Sequence, residues 1–275
     1  MSAILAIALK EVLHGLRNRW VLAATLLLAA LALALALLGS TPIGTVGAAP
    51  LAVAVVSLAS LTIFLVPLIA LLLSYDALVG EQERGTLLLL LTYPLRRWQL
   101  LTGKFLGHLA ILTFAITVAY GAAGLAIGLT PAAKGGAWGA LGLLVGSSVL
   151  LGAAFVALGY LVSALASSRG AAGGLAVAVW LTFVLLWDLG LLGALVADQG
   201  RHLSAELFSL LLLANPADVY RLLNLTGVEA TRELSGMIGM AGQASFSTPV
   251  LLMVLVAWTL LPLAAAAALF ERKEL

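Results

Sequence analysis

Apolar residues run through this chain in blocks of 18 or more, at 21–38, 51–75, 105–129, 141–166, 171–196 and 249–270. A helix rises about 1.5 Å per residue, so each block can cross the roughly 30 Å hydrocarbon layer of a membrane. Six transmembrane helices are predicted. Backbone groups in lipid must be satisfied within the helix itself, so the expected fold class is all-α, a polytopic membrane protein formed as one domain over 1–275. Pro67, inside the second block, predicts a bend, because it leaves one carbonyl without its helical donor. The first 19 residues follow a different pattern. Leu5, Leu9, Val12, Leu13 and Leu16 share one helical face and Lys10, His14, Arg17 and Asn18 the opposite one, which predicts an amphipathic helix lying in the membrane surface.

Charge accumulates between the second and third blocks, over 76–104, as Asp76, Glu81, Glu83, Arg84, Arg96, Arg97 and Lys104. Gly80 and the acidic residues interrupt the preceding span, and Gly85-Thr86 offers a joint and a helix cap. Leu87 to Leu91 then form the apolar body of a short helix that Pro94 ends, a stub of about two turns at the membrane surface. Such a stub either connects two spans or docks into a soluble partner. A second conspicuous segment is 197–248, the longest stretch between spans. Ser204 is placed to cap a helix through Leu213, and Asn215-Pro216 to start another, with Asp218 favourably near its amino end. Leu207, Phe208, Leu210 to Leu213, Leu222, Leu223 and Leu225 make this segment too apolar for a free loop. It dips back into the bilayer or seats a partner. Glycines at four-residue spacing, Gly103/Gly107, Gly124/Gly128, Gly142/Gly146 and Gly170/Gly174, permit close helix approach, within one chain or between two copies.

Composition agrees with a membrane location: 63% of the 275 residues are hydrophobic, 9% are charged and the mean hydropathy is +1.16, whereas soluble domains carry about 25% charged residues. A net charge of +2 gives no reason to expect nucleic-acid binding. The placement of the 14 lysines and arginines is more telling. With the amino terminus inside, Lys10, Arg17, Arg19, Arg84, Arg96, Arg97, Lys104, Arg169, Arg272 and Lys273 face the cytoplasm, and only Lys134, Arg201, Arg221 and Arg232 face outward. Both termini are therefore expected in the cytoplasm. Trp20, Trp98, Trp138 and Trp258 fall near expected span ends, as an aromatic belt would. The block 21–38 is longer than a signal-peptide core and reads as a retained span, despite Ala48-Ala49 beyond it.

Catalytic chemistry finds no foothold. There is no cysteine, which removes thiolate nucleophiles and thiolate metal sites, and His14, His108 and His202 are spread along the chain. Met237 and Met240 are expected to pack rather than hold copper. Gly103-Lys104 has Trp98 and Phe105 where a phosphate loop needs glycine and a hydroxyl residue. Asp188, the acid within a span, lies near its outer end beside Trp187 and reads as interfacial, as does His108 beside Lys104. No catalytic or metal-ligating residue is expected, and no cofactor in this chain; an ATP-driven role would put ATP and magnesium on another polypeptide.

Several stretches carry a resemblance. Glu83-Arg84-Gly85-Thr86-Leu87, Leu90-Leu91, Tyr93-Pro94-Leu95, Arg96-Arg97 and Gly103-Lys104 resemble the loop between spans two and three of ABC-2 type permeases, the membrane subunits of ATP-driven exporters. Leu58 to Leu61, Pro67 to Leu73, Tyr75-Asp76-Ala77, Arg17 to Trp20 and Asn215 to Leu222 are similar to the branch that serves maturation of nitrous oxide reductase. The resemblance implies a coupling helix that contacts a cytoplasmic ABC ATPase, and so assigns ATPase coupling to Glu81, Glu83, Arg84, Gly85, Thr86, Leu87, Pro94 and Arg96. It further implies a second copy of the chain, a bacterial inner membrane with its lipids, and a periplasmic copper-handling β-solenoid protein, expected to contact Asn215, Pro216, Asp218, Tyr220 and Arg221. A general ABC-2 exporter of a lipid, drug or polysaccharide, and a membrane scaffold without a transport stroke, are the competing readings.

Overall fold

The computed structural model describes residues 3–17, 19–38, 50–92, 95–128, 138–198, 204–225 and 246–273. Among these there is no strand, and the chain is all-α. The helices are α1 (Ala3–Leu16), α2 (Arg19–Leu38), α3 (Pro50–Ser74), α4 (Val79–Glu83), α5 (Thr86–Leu91), α6 (Arg97–Gly128), α7 (Trp138–Leu165), α8 (Arg169–Leu181), α9 (Trp187–Asp198), α10 (Ala205–Leu213), α11 (Pro216–Leu225) and α12 (Thr248–Arg272), with a π-bulge at Thr182–Leu186 joining α8 to α9. Five stretches are long and apolar enough to cross a membrane: α3 with α4, α6, α7, α8 through α9, and α12. The bent pair α1–α2 makes up to six.

α7 is the axis of the bundle, packing against α3, α6, α8, α11 and α12. Its middle, from Leu151 to Tyr160, is buried throughout. Glycine explains two of its close contacts. A methyl group on Gly152 would meet Leu112 of α6, and one on Gly159 would overlap Ser74 at the end of α3. Of the four-residue glycine pairs, Gly103 and Gly107 seat α1, coming against Ile7 and Glu11, while Gly124 and Gly128 seat Leu141 and Trp138. Gly142, Gly146, Gly170 and Gly174 have nothing within 4 Å.

α6 begins eight residues before the expected span, at Arg97 rather than 105. A reciprocal cap explains the early start: the Arg96 backbone N–H donates to the Gln99 side-chain oxygen at 3.0 Å, while the Arg96 carbonyl accepts from the N–H groups of Gln99 and Leu100. Arg97 then ties this end of the bundle together. One guanidinium nitrogen donates to the carbonyls of Phe270, Glu271 and Lys273 at 2.8–3.0 Å, and the group lies 5.7 Å from the centre of the Phe270 ring. These are the orphan carbonyls that end α12, and a cation is favourable there. Arg97→Gln should cost about 2 kcal/mol locally, and hydrogen exchange should quicken roughly 30-fold in the last turn of α12 alone.

At the opposite end, α10 and α11 form a hairpin that enters the bundle. Trp258, about 15 Å along α12 from Thr248, donates its indole N–H to the carbonyl of Leu213 at 3.1 Å. Trp258 is thus part of an internal contact rather than an interfacial belt. The Asn215 amide donates to the carbonyl of Phe183 at 2.8 Å, about 20 Å down α9 and the bulge from Asp198. α11 thus packs among the long helices, against α3, α7, α12 and the bulge. Non-helical backbone at such depth is tolerable because protein groups, not lipid, receive its polar atoms.

Candidate functional site

The segment that the sequence singles out folds as two short helices rather than one. α4 is capped across the bundle, for the Ser163 hydroxyl of α7 accepts from the backbone N–H groups of Leu78 and Val79 at 3.0 and 3.1 Å. Those are orphan donors of a helix start, satisfied in trans. Gly85 then reverses the chain with φ of +70°, the left-handed region that glycine enters without penalty, and α5 leaves at a new angle. Thr86 does not cap α5; its hydroxyl donates to the Glu81 carbonyl at 3.2 Å and braces α5 against α4. Leu87 is buried beneath, whereas Leu88 and Leu89 are 56% and 66% exposed. The result is a braced pair of short helices whose tip is apolar and bare. Pro94 lies outside the described residues.

An ion cluster fixes the root of this structure. Lys104 of α6, only 4% exposed, contacts Glu81 of α4 at 2.8 Å and Glu11 of α1 at 2.9 Å. One ammonium thereby ties α1 to the stub. Burial pushes the Glu11 carboxyl up, but the Lys104 charge and hydrogen bond outweigh it and hold Glu11 below the ordinary glutamate range. The second Glu81 carboxylate oxygen is buried without a hydrogen-bond partner. His108, one helical turn from Lys104, is buried rather than interfacial, with Nδ1 2.9 Å from the Tyr160 hydroxyl. On the stub's other flank, Arg169 at the start of α8 pairs with Asp76 at 2.7 Å and donates its backbone N–H to Glu83 at 2.9 Å. Glu11, Asp76, Glu81, Lys104, His108 and Arg169, with Arg84 and Thr86, border a cavity of about 760 Å³ between α1, the stub, α6 and α8.

Of the residues that the sequence assigned to coupling, Glu81, Glu83, Arg84, Gly85, Thr86 and Leu87 are thus brought together, and Arg96 stands apart as the cap of α6. Glu11, Ser163 and Arg169 belong to the same unit and were not singled out, and Lys104 was read only as part of the charged interval and its motif. No pattern in sequence joins them, since Lys104 is 93 positions from Glu11 and Leu78 is 85 from Ser163.

The second set lies in the α10–α11 segment, and its side chains turn inward. Asn215, Pro216, Asp218 and Tyr220 are buried, and Arg221 is partly so. The reason is local. Asn215 caps α11, its oxygen accepting the Ala217 N–H at 2.9 Å and its amide donating to Asp218 and to Phe183. Tyr220 bonds Ser148 of α7 at 3.0 Å, and Asn224 bonds Ser147. Arg221 bridges Asp218 at 2.6 Å and Asp188 of α9 at 2.8 Å, so Asp188 is an ion-pair partner rather than a solitary interfacial acid. What the hairpin exposes is Glu206, Leu207 and Leu210 of α10. Among the described residues no cluster of His, Asp and Glu could hold a metal ion.

Comparison with known proteins gives the same architecture a family. The family model described as ABC-2 family transporter protein matches residues 5–275. A protein of Pseudomonas aeruginosa named "Probable ABC transporter permease protein NosY" is 49% identical over 277 residues, covering 100% of both chains. A protein of Stutzerimonas stutzeri with the same name is 46% identical over 275 residues, covering 99% of each. A permease of this kind acts with an ABC ATPase. With the family matched over nearly its whole length, and with five to six candidate spans, this chain belongs to the ABC-2 family as a transporter permease.

Proposed function

We propose that this chain transmits the motion of a separate cytoplasmic ATPase across the bacterial inner membrane, in support of maturation of the copper centre of nitrous oxide reductase. The observation that carries the first part is the stub: Leu88 and Leu89 stand exposed on a helix braced by Thr86, hinged at Gly85 and rooted in α3, α6 and α7. An apolar tip offers a soluble partner a foothold, and a braced root passes displacement on rather than absorbing it. The second part rests on relatives that carry the NosY name over their full lengths. ATP and magnesium reside on the partner, and this chain catalyses nothing by itself. Two copies of the chain face two nucleotide-binding subunits, with both termini in the cytoplasm. A periplasmic copper-handling β-solenoid protein engages the far end, where Asn215, Asp218, Tyr220 and Arg221 act by positioning the hairpin, and Leu207 and Leu210 form its exposed edge.

The test is the double substitution Leu88→Asp, Leu89→Asp in the full-length protein, placed on exposed positions so that the bundle still folds. The ATPase subunit should fall away on co-purification by tenfold or more, because two buried apolar anchors become charges, each costing about 1–3 kcal/mol at an interface. Nitrous oxide reductase made in the same cells should lack its copper centre. Undiminished ATPase binding would remove the stub from the interface. Lost binding with a normal copper centre would instead favour a general exporter.

A further inference from the structure

Where α1 turns into α2 there is a second concavity, lined by Lys10, Leu13, His14, Arg17 and Arg19 and enclosing about 660 Å³. Its electrostatics differ from those of the neighbouring cavity. In the latter, Lys104 is matched by Glu11 and Glu81, and Arg169 by Asp76. Here Lys10, which also borders the first cavity and whose charge is felt by Glu11, is joined by Arg17 and Arg19, and among the described residues none of the three has a carboxylate within ion-pair distance. Like charges gathered in one concavity repel, and an anion held among them relieves that cost. Arginine forks and a lysine point charge match phosphate oxygens, with His14 as a further nitrogen ligand.

The surroundings decide which phosphate. Leu13 and Leu16 flank the cations on α1, and Leu22 and Leu26 continue the apolar surface along α2; these four are 56%, 39%, 47% and 69% exposed. A strip of this kind meets hydrocarbon, so the cations beside it stand at headgroup depth, where lipid phosphates are concentrated. An amphiphile uses both. We infer that the bend between α1 and α2 is a binding site for an acidic glycerophospholipid, its phosphate held by Lys10, Arg17 and Arg19 and its acyl chains lying along Leu16, Leu22 and Leu26. The site would set the height of α1 in the membrane surface. Because Glu11 on the same helix reaches Lys104, and through it the stub, lipid binding here bears on the stub's root.

The experiment titrates the purified full-length chain in neutral detergent with phosphatidylglycerol or phosphatidylcholine of the same chain length, counting bound lipid by native mass spectrometry. The chain should prefer phosphatidylglycerol. The variant K10Q/R17Q/R19Q should lose that preference, by roughly fivefold for each cation removed, with phosphatidylcholine binding unchanged, whereas K10R/R17K/R19K should keep it. If the triple variant misfolds, the three single substitutions are read in the same titration. Equal phosphatidylglycerol affinity in the native and neutralised chains overturns the inference. So does displacement of the lipid by excess inorganic phosphate, which would mark a site for a free anion. If neutralisation instead weakens ATPase binding and leaves lipid binding intact, the concavity serves an acidic face of that subunit and the assignment falls.

Discussion

Replacing Lys104 with methionine should destabilise the chain by about 3–5 kcal/mol, the usual cost of deleting one partner from a buried ion cluster. Methionine fills nearly the same volume, so the loss is electrostatic. Glu11 and Glu81 would remain at the junction of α1, α4 and α6, with their shared counter-charge gone and one Glu81 oxygen already lacking a partner. The triple variant Glu11→Gln, Glu81→Gln, Lys104→Met should recover most of the loss, because neutral groups in this place carry no comparable desolvation cost. Thermal unfolding of the purified protein in detergent reads both effects.

Acidity separates this explanation from simple loss of packing. In the native chain Glu11 titrates below its ordinary value, so the stability it contributes is complete above the usual glutamate range and fades only as pH falls through the lowered value. Without Lys104 the burial of Glu11 is opposed only by the weaker pull of His108 and Lys10, and that value rises instead. The native chain should therefore lose stability on strong acidification, while Lys104→Met should gain some between about pH 7 and pH 5 as the orphaned carboxyl takes up a proton. A variant that lost only packing would show no reversal of slope.

Features set by near neighbours in sequence could be read in advance. Ser204 accepts from the Leu207 N–H as an amino-terminal cap should, and Asn215-Pro216 opens α11. Gly85 occupies the one left-handed turn among the described glycines, at the joint expected of it. Gly103 and Gly107 do serve close packing, although the helix they admit is α1 rather than another span. The hidden features are those in which a group's partner is distant. The tie between the start of α6 and the end of α12 joins Arg97 to carbonyls 173 and 176 positions away, and the cap of α4 is a serine on α7. Likewise the segment Asn215 to Arg221 is polar in sequence, yet its side chains find their partners inside, on α7, α9, the bulge or α11 itself. Polarity in a sequence reports that a group needs a partner. It does not say on which side of the backbone the partner stands.

That inward pairing makes Arg221 the second position where one substitution should have a large effect. Arg221→Met leaves Asp188 and Asp218 facing each other without the cation that bridges them at 2.8 and 2.6 Å, beside an Asp188 oxygen that is already unpartnered. The cost should be about 3 kcal/mol, at the lower end for a buried pair because about a fifth of the Arg221 and Asp188 side chains is accessible. It should fall on the hairpin rather than on the whole bundle, since among the described residues the remaining side-chain polar ties of α11 are those of Tyr220, Asn215 and Asn224. The chain contains no cysteine, so a single Val219→Cys gives a clean reporter at a fully buried position of α11. In the Arg221 background it should become reactive to a membrane-impermeant maleimide while a cysteine at Val156, deep in α7, stays protected. Adding Asp188→Asn and Asp218→Asn should restore protection. If Val219→Cys stays unreactive without Arg221, the hairpin is held by its apolar contacts with α7 and α12, and the bridge is not what keeps it in the bundle.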